Sequence, residues 1–481
     1  MSKKLLAVLV FAVCLGSPFA QTFSVNINPY PSAVSKTTTT SSDTLRVLAV
    51  MVNFQEDKDN TTFGNGKMGT VFSSDYGNDI LDPLPHDKPF YEAHLEFVKN
   101  YFYKVSNGIM NIEYSVLPDT FSVSKTMRSY SPPAKSDDYS LLGDFAKEAW
   151  TKAAELYPAF DFSHYDVFII FHAGVGRDIS LPGSIGTDKD LPSIYMGVNL
   201  FKKIYGSSFE GIPVGGGNFK ITNSLIMPET ESREIESFGG TVLFEISTNG
   251  LLVASIASHL GLPDLFDTNT GLSAIGRFGL MDGQAIFAYG GTYPPELSPW
   301  EKIYLGWAVP KVITPGDYKN ITLTTGQAAA LGDSVILKVP INSSEYYLIE
   351  NRSRDALNNG SIVKYVIGTD TLTKTFDKDT TGYYSFAVDS LAGVVIDVDE
   401  FDWAIPGNGI VIWHIDESII NSKLASNSIN NDKNNRGVDV EEADGIQDIG
   451  EEFQTIFGDI VIGEGTDRDF WYNGNPSDLF K

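Results

Sequence analysis

The sequence predicts an α/β domain followed by a mainly β module, and three observations predict it. Apolar, valine-rich runs of strand length alternate with amphipathic helices over residues 45–172, the order of a central sheet covered by helices. Past Gly316 the apolar segments shorten to runs of Val, Ile, Thr and Tyr between Gly, Asn and Asp, the pattern of strands joined by turns. The chain has 481 residues and is 42% hydrophobic, enough for two or three domains with packed cores.

Lys3 and Lys4 precede an apolar run at 5–15 and small residues up to Ala20, which is the order of a secretory signal peptide over residues 1–20. The run is shorter than the roughly 20 residues that span a bilayer, and no other stretch is read as a membrane span. The expected location is outside the cell, in the periplasm or at the cell surface. Cys14, the only cysteine, lies inside that signal, so the mature chain is expected to have no disulfides. A flexible linker is expected over residues 21–44, with a Ser/Thr run at 35–43. A formal net charge of -26 and a pI near 4.5 exclude nucleic acid as a partner, because phosphate contacts require clustered Lys and Arg. The acidity fits solubility outside the cell, and carboxylates are also what calcium prefers.

Residues 45–54 read as a strand buried on both faces. Between 91 and 105 the residues His94, Leu95, Phe97, Val98, Tyr101, Phe102 and Val105 recur at three- and four-residue steps, predicting an amphipathic helix that Asn107-Gly108 ends. A half-exposed strand is expected at 110–116, a second helix at 145–157 and a second buried strand at 165–172. His172, at the end of that strand, reads as a structural histidine held by nearby backbone. The glycine-rich segment 211–218 lacks the lysine and spacing of a phosphate loop and reads as an ordinary loop.

The central stretch is Leu251-Leu-Val-Ala-Ser-Ile-Ala-Ser-His259-Leu-Gly-Leu-Pro-Asp264-Leu-Phe-Asp267. Thr248 and Asn249 are suited to cap a helix over 250–260, which Gly261 and Pro263 stop. A zinc-peptidase helix needs two histidines one turn apart and a glutamate beside the first. If His259 is the second histidine, its partner position is Ser255 and Ile256 stands where the glutamate belongs. If the Leu-Gly-Leu-Pro-Asp exit sets the register, the three positions are Ala254, Ser255 and Ser258. Neither register supplies two nitrogen ligands or a base. His259, Asp264 and Asp267 offer one nitrogen and two oxygens, but the acids lie beyond the helix stop. Zinc is therefore not expected.

A helix at 300–307 closes the first domain, with Trp300 and Trp307 as packing anchors, and 310–316 is a natural boundary. Strands are expected at 321–324, 334–339, 346–350, 361–367, 381–388 and 409–415, with His414 structural on the last. Asn430, Asp432, Asn434 and Glu441 fall at positions 1, 3, 5 and 12 of a calcium-loop pattern, with Asn435 where the sharp turn wants glycine. Asp439, Glu442 and Asp444 supply further carboxylates, so calcium is the cation this loop suits; a merely solvated acidic loop is the competing reading.

The exit at 259–267, Phe278-Gly-Leu-Met-Asp-Gly283 and Ser298-Pro-Trp-Glu-Lys-Ile-Tyr-Leu-Gly-Trp307 resemble the M6 peptidases, the immune inhibitor A type of secreted bacterial zincins. Segments 47–54, 101–110, 165–174, 346–351, 409–416 and 437–445 extend the likeness over most of residues 45–450. The resemblance implies a zincin-like metalloprotease domain over 45–310, a β-rich module with an acidic loop over 311–460, and a polar tail at 461–481 that reads as truncated. In that family His-Glu-x-x-His directly precedes the exit, where this chain has Ala254-Ser-Ile-Ala-Ser258. Met281 matches the methionine turn beneath a zincin's metal site, so His259, Asp264, Asp267 and Met281 are the expected remnant of a cleft. The favoured expectation is a catalytically inactive protein that binds an extracellular peptide or protein, or serves as a scaffold. The alternative is an active secreted zinc metalloendopeptidase using His259 and oxygen ligands recruited from elsewhere, and a third reading is a calcium-organised structural module.

Overall fold

In the computed structural model, the described residues are 26–27, 44–72, 74–134, 136–180, 188–237, 240–314, 316, 321–330, 333–376, 391–454 and 460–476. The signal peptide, Cys14, nearly all of the linker and the strand expected at 381–388 lie outside them.

The first sheet is built on β1 (Thr44–Asn53), whose parallel neighbours are β2 (Asn111–Ser122) and β3 (Val167–Val175). β5 (Ser224–Thr230) runs parallel to β3, and the short β4 (Ile194–Met196) closes the edge antiparallel to β5. Helix α1 (Lys88–Val105) covers one face and α2 (Ser140–Leu156) the other. The period-two geometry of a strand sends successive side chains to opposite faces. Accordingly Val47, Ala49 and Met51 enter the core under α1, while Leu48, Val50 and Val52 pack with Phe145 and Trp150 of α2. The doubly buried strand and the α1 periodicity are thus as the sequence predicts.

Some elements differ from expectation. Residues 211–218 are not all loop: Ile212–Val214 pairs with Phe219–Ile221 around the glycines, whose positive φ values at Gly215, Gly216 and Gly217 make the tight turn. Between β4 and β5 the helix α3 (Val198–Tyr205) begins directly after the edge strand. Residues 321–324 form no strand; a short β-prone run needs a partner ladder, and here only Thr324 N–H donates across, to Ser334 O at 3.1 Å.

Helix α4 (Asn249–His259) and α5 (Pro299–Tyr304) follow. A second sheet orders Lys311–Val312, β6 (Ile336–Pro340), β7 (Glu345–Arg352), β11 (Gly409–Asp416) and β12 (Val438–Glu441). A third comprises β8 (Ser361–Ile367) between β9 (Asp370–Phe376) and β10 (Val394–Val398), and α6 (Glu417–Lys423) follows β11. The β-rich half does not stand apart. Asn100 of α1 donates to Ile396 O at 2.9 Å and Asn249 of α4 to Val395 O at 2.8 Å, so β10 is pinned to both helices, and one hydrophobic core runs through all of them. Among the described residues no helix is long and apolar enough to cross a membrane.

Candidate functional site

Helix α4 is buried on nearly every side, and its residues show why. Gly250 lets it approach so closely that a Cβ there would meet Ile286 O at 1.9 Å. Neither expected cap residue caps with its side chain. Thr248 makes no such bond, and the Asn249 amide instead accepts at Oδ1 from His94 Nδ1 at 2.7 Å and donates from Nδ2 to Val395 O. The exit is as predicted: Gly261 takes φ 95°, and Leu262 N–H donates back to Ala257 O at 3.1 Å.

Ala254 offers no donor atom. The Ser255 hydroxyl donates to Leu251 O at 2.8 Å and the Ser258 hydroxyl to Ala254 O at 3.2 Å, so both are turned into their own helix. His259 is buried with its ring edge-on to Tyr195 of β4, 5.5 Å between centroids, and burial pushes its pKa down to about 4. It is therefore a neutral imidazole at physiological pH.

The other residues expected as a cleft remnant, Asp264, Asp267 and Met281, are engaged elsewhere. Asp264 N–H donates to Asn427 Oδ1 at 2.8 Å and Asn427 Nδ2 donates to Asp264 Oδ2 at 2.6 Å, tying the helix exit to the loop after α6. Burial raises the Asp264 carboxyl to about 6 against the opposing Asn427 bond. Asp267 accepts from Asn269 N at 2.9 Å and Thr270 Oγ1 at 2.7 Å, closing its own turn. Met281 is buried, and its carbonyl accepts from Leu265 N at 2.8 Å, so the turn that carries it is latched to the helix exit. Asp282, which the sequence reading did not single out, organises that turn: Oδ2 accepts from Ser273 Oγ, Ala274 N and Ile275 N at 2.8–3.0 Å. The residue types present do not fit a zinc ion, since the helix face supplies neither a nitrogen pair nor a carboxylate.

In the acidic loop, Asn430 is buried with its amide fully engaged: Nδ2 donates to Leu265 O and Val438 O, and Oδ1 accepts from Gly437 N and Val438 N. Both lone pairs of that oxygen are thereby committed to backbone. Asp432 accepts from Asn434 N at 3.1 Å, and Glu441 sits on β12 opposite Ile412. Among the described residues, the one group of three acidic, histidine or cysteine side chains close enough to share a cation is Glu442, Asp444 and Asp469, with donor atoms within 4.8 Å of one another. Burial and the crowding of neighbouring carboxylates raise Glu442 to about 8 and Asp469 to about 7. Asp469 has no local signal in the sequence, because only a long-range chain return brings it to Glu442.

A second polar constellation lies at the carboxyl end of the first sheet. His86 Nδ1 bonds Glu229 Oε1 at 2.6 Å and His86 Nε2 bonds Asp82 O at 2.9 Å; His94 Nε2 lies 3.6 Å from Asp82 Oδ1. All four residues are buried. Burial pulls the His86 pKa down, but the Glu229 bond and charge and the Asp82 contacts outweigh it and leave it raised. At His94 burial wins and the pKa is lowered.

Beside the helix exit a groove of about 850 Å³ opens between α3, the turn after Asp267, and α6 with its following loop, within the ~300–1,000 Å³ typical of ligand clefts. Leu200, Thr268, Ile429 and Tyr139 lie buried along it. No protein-family model matches the chain, and no curated protein gives a significant match.

Proposed function

We propose that the chain is a secreted protein on an M6-type zinc-peptidase scaffold that has lost its catalytic metal grip and works by binding an extracellular peptide or protein. One observation carries the reading: on α4, where the resemblance puts the two histidines and the glutamate, stand Ala254, Ser255 and Ser258, with both hydroxyls bonded to their own helix. The surroundings support a scaffold kept for another use. The helix exit, the Met281 turn and the antiparallel edge strand β4 are mutually packed or bonded, and an open groove adjoins them. With no carboxylate on α4 to take a proton from water, the cleft is suited to holding a chain rather than cutting it. The same reading gives calcium to Glu442 and Asp444, just past the 430–441 loop, together with Asp469, whose clustered carboxylates are hard oxygen donors.

Incubation of the purified chain with casein, with and without a chelator, tests the proposal. No cleavage in either condition is expected. Chelator-sensitive cleavage would replace it with the active zinc endopeptidase.

A further inference from the structure

We infer that the groove beside the helix exit binds an acidic, extended peptide segment, which deepens the proposed binding role and rests on it. The first support is charge. The chain carries 61 Asp and Glu against 35 Lys and Arg, yet the groove lining reverses that balance, with Lys203 and Lys423 against Asp432 alone. Lys203 is held in place, its ammonium 5.3 Å from the centre of the Tyr139 ring and bonded to Asp137 O at 3.4 Å. Lys423, a lining residue at the end of α6, is exposed and has no ion pair among the described residues. Two ammonium groups lining one groove of a strongly anionic protein attract anionic ligands and repel cationic ones.

The second support is hydrogen-bond chemistry. Asn199, Asn269 and Asn435 line the groove and are exposed, and no side-chain hydrogen bond within the described residues uses their amides. Each presents a carbonyl and an NH₂ together, the complement of a main-chain N–H and C=O. By contrast, Asn431 and Thr268, also in the lining, are engaged: Thr268 N donates to Asn431 Oδ1 at 3.1 Å, Asn431 Nδ2 donates to Thr268 Oγ1 at 3.0 Å, and Thr268 Oγ1 donates to Asn427 O at 3.0 Å. The less exposed polar groups of the lining are thus fixed while the exposed amides remain available, an arrangement suited to a peptide backbone flanked by carboxylate side chains.

Fluorescence anisotropy with short labelled peptides of equal length, one Glu-rich, one of Gly and Ser, and one Lys-rich, tests the inference on the full chain. The Glu-rich peptide should bind tightest and weaken with added salt, and Lys203→Glu with Lys423→Glu should weaken it by about tenfold or more. Asn269→Ala with Asn435→Ala should weaken the Glu-rich and Gly/Ser peptides alike, with melting temperatures of both variants near that of the parent. Equal binding of the Lys-rich peptide, or affinity untouched by the lysine reversals in a folded variant, would overturn the inference. So would preferential binding of polygalacturonate, which would assign the groove to an anionic glycan. Cleavage of the bound peptide, read by mass spectrometry, would overturn the inactive-scaffold reading while leaving the charge selectivity intact.

Discussion

His259 on α4 and His86 beside the start of α1 are both buried, and their surroundings shift their pKa values in opposite directions. His259 sits edge-on to Tyr195, and burial drops its pKa to about 4. Glu229 stands 2.6 Å from His86, and its bond and charge outweigh burial and raise the pKa. The difference lies in the close bond to a carboxylate, since desolvation disfavours the charged imidazole unless a bonded negative group outweighs it; at His94, with Asp82 Oδ1 3.6 Å away, desolvation still wins. On the helix that the resemblance marks as catalytic the charged form of histidine is thus disfavoured, while at the carboxyl end of the sheet the Glu229 bond favours it at His86.

The strongest way to break that contrast is to remove the carboxylate. Glu229 also accepts from Gly69 N at 2.6 Å and Gly174 N at 3.0 Å, so Glu229→Ala strands His86 and two backbone donors. Urea denaturation should show a loss of about 3–5 kcal/mol, the usual cost of leaving one member of a buried pair alone. A loss below about 1 kcal/mol would mean that water reaches His86 in its place.

A pH titration sharpens the same contrast. His259 binds its proton less readily when folded, so its neutral form favours folding above the unfolded value of 6.5, and that stability is lost as pH falls from 6.5 toward about 4. The shift corresponds to about 3 kcal/mol. Stability curves for His259→Leu should be flatter than the parent's by that order across this window. His86 works in the opposite sense: with its pKa raised, its contribution is fully present below the unfolded value and fades as pH rises through the folded one. Parallel slopes for parent and His259→Leu would place His259 in contact with water.

The smallest expected effect concerns the acidic loop. Millimolar calcium should raise the melting temperature by a few degrees through linkage to the folded state. Glu442→Gln should abolish the rise, because its carboxylate belongs to the cluster with Asp444 and Asp469. Glu441→Gln should leave most of it. The reverse outcome would return the site to the linear 430–441 pattern.

Legibility in the sequence followed the range of the interactions. The strand β1, the helix α1 and the Gly261–Pro263 stop of α4 were readable because period, caps and breakers are local. β5 was not, since Pro228 and Glu229 look like loop residues, yet the strand is buried throughout beside β3, with Glu229 answering a histidine 143 residues earlier. β10 was missed because its burial comes from α1, which lies some 290 residues away in the chain. The candidate site divided in the same manner. Ala254, Ser255 and Ser258 could be placed on the helix from spacing alone, but the turning of Asp264 toward Asn427, the latch of Met281 to Leu265 and the opening of the groove depend on contacts between distant segments.

Zinc binding by the parent chain and by a variant with Ala254→His, Ser255→Glu and Ser258→His, compared by equilibrium dialysis and elemental analysis, tests the central claim most directly. The account predicts no stoichiometric zinc on the parent and a gain of about one ion per chain in the variant, because two histidines one turn apart restore the grip on an intact helix. One tightly held zinc on the parent chain would contradict it.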